Sequence, residues 1–154
     1  KIGITWQTST EQLSSSFKSC PLQAYVPFFG MEQVKWISLQ KEIPTSDLPL
    51  PPHLMDISND LVDFTDTAAV ISNLDLVISM DTAVAHLAGA LGKPVWLLLS
   101  TAGDWRWMKD RSDSPWYPTM DIFRQAQFND WNEIFIRIRP KIEKLIVDKG
   151  LKSA

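Results

Sequence analysis

Cysteine and histidine are scarce in this chain, and their scarcity removes whole classes of chemistry. Cys20 is the single cysteine among 154 residues, so no intramolecular disulfide forms, and a cysteine-based metal site is disfavoured. His53 and His86 are the only histidines and lack metal-ligand spacing, so no metal site is expected. There is no basic tract. Fifteen Lys and Arg against 18 Asp and Glu leave a net charge of −3, which argues against nucleic acid as a partner. A single anionic ligand still needs only local donors. No apolar run approaches the length of a membrane span, and no signal peptide is visible. With one unpaired cysteine, these features fit a cytoplasmic setting. Phosphate loops of the Gly-x-x-x-x-Gly-Lys and Gly-x-Gly-x-x-Gly types are missing, as is a Gly-x-Ser-x-Gly elbow.

What remains is ordinary globular usage, 45 % apolar and 21 % charged, in a length that supports one domain with a substantial core. We therefore expect a single domain over 1–154. The chain opens on Lys1-Ile-Gly-Ile-Thr-Trp6, directly on an apolar run and without an initiator Met. It reads as a piece of a longer polypeptide, and such a piece can lack half of an active site.

Six short apolar runs read as strands: 2–6, 34–39, 55–58, 76–79, 95–99 and 120–124. Between them lie helical patterns. Pro21 suits the first position of a helix reaching Phe29, with Gly30 ending it. Thr65 or Asp66 reads as the N-cap of a helix to Asn73, with Ala69, Val70 and Leu74 facing inward. A third helix spans 82–91 and stops at Gly92, two residues before Pro94. Asp130 and Glu133 read as a capping pair for a last helix. Ile134, Ile138, Ile142, Leu145 and Ile146 repeat there at helical spacing, and Pro140 predicts a kink or a break. The four prolines of 44–52 predict a loop without regular structure, and 7–19 a polar, serine-rich loop. Strands alternating with helices predict an α/β fold, a Rossmann-like parallel sheet with helices on both faces.

In such sheets ligands bind at the carboxyl ends of the strands. The turn after the fourth run carries Asp81-Thr82, with His86 one helical turn on. Asp81 is a natural N-cap, and the N–H groups of Thr82 and Ala83 at the helix start favour an anion such as phosphate. Thr82 adds a hydroxyl donor. His86 shares its face and leans back toward the same end. The alternatives are an Asp81 that only caps and a His86 satisfied by a backbone carbonyl in the core. Lys18 and Ser19 are donors in the loop after the first strand, or simply part of a solvated loop. Gln40 and Glu42, ending the second run, stand where doubly wound folds meet a ribose. The dense aromatic segments Asp104-Trp105-Arg106-Trp107 and Ser114-Pro-Trp-Tyr-Pro118 either stack on a sugar or base or pack against the sheet.

The run Asp75-Leu-Val-Ile-Ser-Met-Asp-Thr-Ala-Val-Ala-His-Leu-Ala-Gly-Ala-Leu-Gly-Lys-Pro-Val-Trp96 resembles glycosyltransferase family 9, the heptosyltransferase-like enzymes. The likeness is to the branch often fused to tetratricopeptide repeats in bacteria, which also carries segments like Asp104-Trp-Arg-Trp107 and Ser114-Pro-Trp-Tyr-Pro-Thr-Met120. The resemblance implies the carboxyl-terminal, donor-binding half of a GT-B glycosyltransferase. It implies a nucleoside-diphosphate sugar as substrate, no cofactor, and metal-independent transfer with inversion. It places Asp81, Thr82 and His86 at the donor diphosphate, where the reading of the residues adds Ala83, Lys18 and Ser19. From that reading too, Gln40 and Glu42 are the candidates for nucleoside contacts, and Trp105, Arg106 and Trp107 those for sugar or acceptor contacts. The catalytic base is expected in an amino-terminal domain, and the isolated chain is expected to be inactive.

One departure stands out. Relatives carry a loop with glycine, histidine and arginine after the first strand, ending in Arg-Ser. Here Lys18-Ser19 stands in that place, and a point charge replaces a bidentate fork. Two rival readings follow: a degenerate, non-catalytic scaffold or interaction domain beside repeats, and a sugar-nucleotide epimerase-like enzyme.

Overall fold

The structure, a computed structural model, describes residues 1–8 and 18–150. The expected loop 7–19 therefore falls mostly outside the described residues. Six parallel strands form one sheet: β1 (Ile2–Ile4), β2 (Trp36–Ser38), β3 (Leu54–Asp56), β4 (Leu76–Met80), β5 (Val95–Leu99) and β6 (Met120–Arg124). Their order is β3-β2-β1-β4-β5-β6. This is the doubly wound arrangement expected of a Rossmann-like domain. The central strands β1 and β4 are buried at every position, as parallel strands covered on both faces must be.

Alternation within the strands divides the core. Ile4, Ile78, Leu98 and Phe123 point to one face, under Tyr25, Phe28, Ile134 and Ile138. Val77, Val95, Leu97 and Ile122 point to the other, under Ile71, Ala85 and Ala88. A short 3-10 turn (Leu22–Tyr25) leads into α1 (Val26–Phe29). With α4 (Trp131–Asp148) it covers the first face, while α2 (Phe64–Ser72) and α3 (Ala83–Ala90) cover the second.

Several local expectations are corrected. Pro21 caps the 3-10 turn from outside, and Pro27 takes the early helical position instead. Asp63, not Thr65 or Asp66, is the N-cap of α2. Its carboxylate accepts from the N–H groups of Thr65 and Asp66, and Asp66 answers to the Asp63 N–H, completing a capping box. The start thus lies two residues earlier; Leu74 is buried and Val70 packs against the core as expected, Thr67 and Ile71 join them, and Ala69 is exposed instead. The proline-rich loop holds one 3-10 turn, Thr45–Asp47. The last helix runs unbroken through Pro140. Pro140 and Ile136 both lie on the exposed side of the helix, so the Ile136 carbonyl that loses its helical donor is not in the core. Ile134, Ile138 and Ile142 are fully buried, each stabilising by roughly 1.5–3 kcal/mol, and this anchors the helix across the proline.

α3 ends as expected. Gly92 adopts φ +68°, its N–H donates to the Gly89 carbonyl, and the Lys93 N–H donates to that of Ala88. That pair of bonds is a Schellman motif, which needs the left-handed residue that glycine supplies.

Candidate functional site

From β1 the chain winds outward one way through β2 and β3. From β4 it winds the other way through β5 and β6. The reversal falls between β1 and β4, and the crevice at their carboxyl ends is where such sheets take ligands. A cleft of about 390 Å³ opens there, lined by Thr5, Gln7, Gln40, Glu42, Asp81 and Thr82, among others. Its size is that of a small-molecule site.

The floor is a chain of hydroxyls. Ser79 Oγ donates to the Met80 carbonyl at 2.8 Å, which spends its only hydrogen. Thr5 Oγ1 at 2.7 Å and Thr82 Oγ1 at 3.1 Å both hydrogen-bond with Ser79 Oγ. The Thr82 hydroxyl is thus engaged from below while the residue borders the cleft. Its backbone N–H is also engaged, by the Met80 carbonyl at 2.8 Å.

Thr82, not Asp81, is the N-cap of α3, and its side chain makes no capping bond. The Ala85 N–H closes on the Thr82 carbonyl. The first two helical N–H groups, those of Ala83 and Val84, have no hydrogen-bond acceptor among the described residues, and both residues line the cleft. The free donors are therefore those of Ala83 and Val84 rather than Thr82 and Ala83. They carry the positive end of the helix dipole.

Asp81 lies between Lys18 and His86. Its carboxylate lies 4.0 Å from Lys18 Nζ and 3.9 Å from His86 Nε2. Lys18 also faces Asp104, whose carboxyl is held below its ordinary value first by the Arg106 N–H and further by the charges of Arg106 and Lys18. His86 is not a core histidine bonded to a carbonyl. Its Nδ1 lies 3.0 Å from the Tyr117 hydroxyl, and its ring stacks on Trp107 at 5.0 Å and 26°.

The remaining residues sort clearly. The Gln40 side-chain oxygen accepts from the N–H groups of Trp6 and Gln7, bracing the segment after β1 to the end of β2. Glu42 is exposed on the cleft wall. Ser19 Oγ meets the Thr8 N–H at 3.1 Å, tying together the two sides of the loop after β1. Trp105 is 74 % exposed with the Arg106 guanidinium over its ring, so these two present a surface. Trp107 is fully buried and offers no face to a sugar, which corrects that expectation. Burial pushes the Cys20 thiol up, so it is neither nucleophile nor metal ligand. Among the described residues no three His, Cys, Asp or Glu side chains gather as metal ligands would. None of the described helices is long and apolar enough to cross a membrane.

Four contributors escaped the sequence reading: Thr5, Ser79, Val84 and Tyr117. Ser79 carried a signal, being the lone polar residue in the buried run Leu-Val-Ile-Ser-Met. Tyr117 sits in the aromatic segment already singled out, but nothing in one dimension pairs it with His86.

Residues 61–116 match the model of glycosyltransferase family 9 (heptosyltransferase). The chain is 26 % identical over 149 residues to Protein FlbA of Caulobacter vibrioides, covering 90 % of this chain. It spans about a quarter of that relative, 24 % of its length. No solved structure matches the chain.

Proposed function

We propose that this chain is the donor-binding domain of a glycosyltransferase that takes a nucleoside-diphosphate sugar. One observation supports this above the others: two unclaimed helix N–H groups, on Ala83 and Val84, open into the cleft at the switch point, within the segment that matches the family. The diphosphate sits on these donors, with His86 and Lys18 adding theirs from the side. Glu42 and the Gln40 NH2 face the ribose and base. Trp105 and Arg106 offer a platform for the sugar or the acceptor.

In this reading the domain works by electrostatics. As the sugar leaves, negative charge grows on the diphosphate. Oriented N–H groups, an imidazole and an ammonium stabilise it without reorganising. Transfer is metal-independent and inverts the anomeric carbon. The base that takes the acceptor proton comes from an amino-terminal domain of the same polypeptide, which also carries tetratricopeptide repeats.

A second reading, a non-catalytic interaction module, draws on Lys18. It lies 4.0 Å from the Asp81 carboxylate, and a lysine so paired offers less to a phosphate than an arginine fork would. Calorimetric titration of the full-length protein with ADP, GDP, UDP and their sugar conjugates separates the two. Saturable binding that His86→Ala weakens supports the transferase. No binding by any of them refutes it in favour of the module.

A further inference from the structure

The aromatic segment after β5 reaches back to α3, packing against Gly89 and meeting His86. Tyr117 is placed there by a tight turn. Ser114, itself buried, accepts from the N–H groups of Trp116 and Tyr117 through its Oγ. The Tyr117 N–H side is thus fixed, and its carbonyl accepts from Met120 at the start of β6. The ring lies along α3 only because residue 89 is glycine. A Cβ on Gly89 would come within 2.5 Å of Tyr117 Cγ. The hydroxyl then meets His86 Nδ1 at 3.0 Å, while Trp107 closes the flat face of the imidazole.

We propose that Tyr117 is a positioning residue that fixes His86 as a donor through Nε2. This rests on the reading of 81–86 as a diphosphate site. Neutral imidazole carries one hydrogen and two candidate nitrogens. Two neighbours select the same form. The phenol is a better donor than the imidazole N–H, so it gives its hydrogen to Nδ1. On the opposite side Nε2 faces the Asp81 carboxylate at 3.9 Å, which only accepts and so favours a hydrogen on Nε2. The resulting Nε2–H points to the end of α3 where the Ala83 and Val84 N–H groups are free. A leaving diphosphate oxygen there meets a hydrogen rather than a lone pair. The two aromatic-rich segments and the Asp-Thr-x-x-x-His segment form one device: Gly89 admits Tyr117, Tyr117 sets the tautomer, and His86 presents the donor.

The test is nitrogen NMR on full-length protein labelled with 15N-histidine, with His53→Gln to separate this chain's two histidines. The wild type is expected to show His86 with Nδ1 bare and Nε2 protonated. Tyr117→Phe is expected to show a measurable Nδ1–H population. It should also weaken the nucleotide that the wild type prefers among ADP, GDP and UDP by about tenfold, as one lost hydrogen bond implies. An Nδ1–H form in the wild type, or nitrogen shifts unchanged in Tyr117→Phe, overturns the proposal. If no nucleotide binds the wild type, the diphosphate reading falls, and the nitrogen shifts still decide whether Tyr117 sets the tautomer.

Discussion

Ala83→Pro is the sharpest perturbation this site allows. Ala83 is the first residue of α3, and its N–H lies outside the helical ladder. Proline is at home in that position because the N–H it lacks has no helical partner and its fixed φ suits the first turn. The preceding Thr82 has φ −133° and ψ 167°, the extended conformation that a residue before proline prefers. Ala83 itself is exposed, so the ring has room. The substitution therefore removes one donor from the cleft and little else. Folding stability should hold or rise, by about 0.4–1 kcal/mol, because proline restricts the unfolded chain. Nucleotide affinity should move the opposite way. A hydrogen bond to a charged group is worth about 1.5–3 kcal/mol, or roughly a 10- to 150-fold loss in affinity. Thermal unfolding and calorimetric titration with ADP, GDP and UDP read the two quantities independently. A variant that folds as well as the wild type and binds equally tightly would refute the assignment of the α3 N–H groups to the ligand.

Thr82→Ala should act mainly on stability, costing about 0.5–1.5 kcal/mol in denaturant titration, since its hydroxyl points inward to Ser79. Its effect on affinity should be smaller than that of Ala83→Pro. The Asp63 carboxyl is held below its ordinary value of 3.8, chiefly by the Asp66 N–H and then by that of Thr65. A depressed folded value contributes stability that is present above the ordinary value and lost as pH falls through the folded one. Unfolding midpoints taken downward from pH 5 should therefore drop more steeply in the wild type than in Asp63→Asn, and parallel curves would count against the capping box. Pro140→Ala restores a donor to the Ile136 carbonyl on an exposed face and should raise the unfolding free energy, by at most about 3 kcal/mol. A loss of stability there would mean that the proline itself packs.

The strands and the third helix were legible because their signals are local. Val95-Trp-Leu-Leu-Leu99 can hardly be anything but a buried strand, and Gly92 marks its helix stop unaided. The position of the cleft was legible too, since it follows from strand order. The details that decide its chemistry were not. The hydroxyl network of Thr5, Ser79 and Thr82 depends on two segments meeting, with Thr5 and Ser79 74 residues apart. The N-cap is Thr82 rather than Asp81, and the Asp81 carboxylate lies beside Lys18, a neighbour too distant in sequence for any short window to contain. Trp107 and Trp105 are two residues apart and alike in composition, yet the tight turn between them sends one into the core and leaves the other in solvent.

The order of the sheet has a consequence for how the domain comes into being. β1 is synthesised first but ends in the middle, between β2 and β4. Strands β1 to β3 are complete at Asp56, whereas β4 begins at Leu76. A ribosome adding about 5–20 residues per second leaves the second edge of β1 unclaimed for roughly 1–4 s. During that interval a finished half-sheet waits with an open, apolar border. The cleft lies across that late seam, with Thr5 and Gln40 on the early half and Asp81, Thr82, Ala83 and Val84 on the late one. A nucleotide seated there would rivet the two halves together, and its concentration at the site of synthesis would help set how many new chains close the seam before they aggregate.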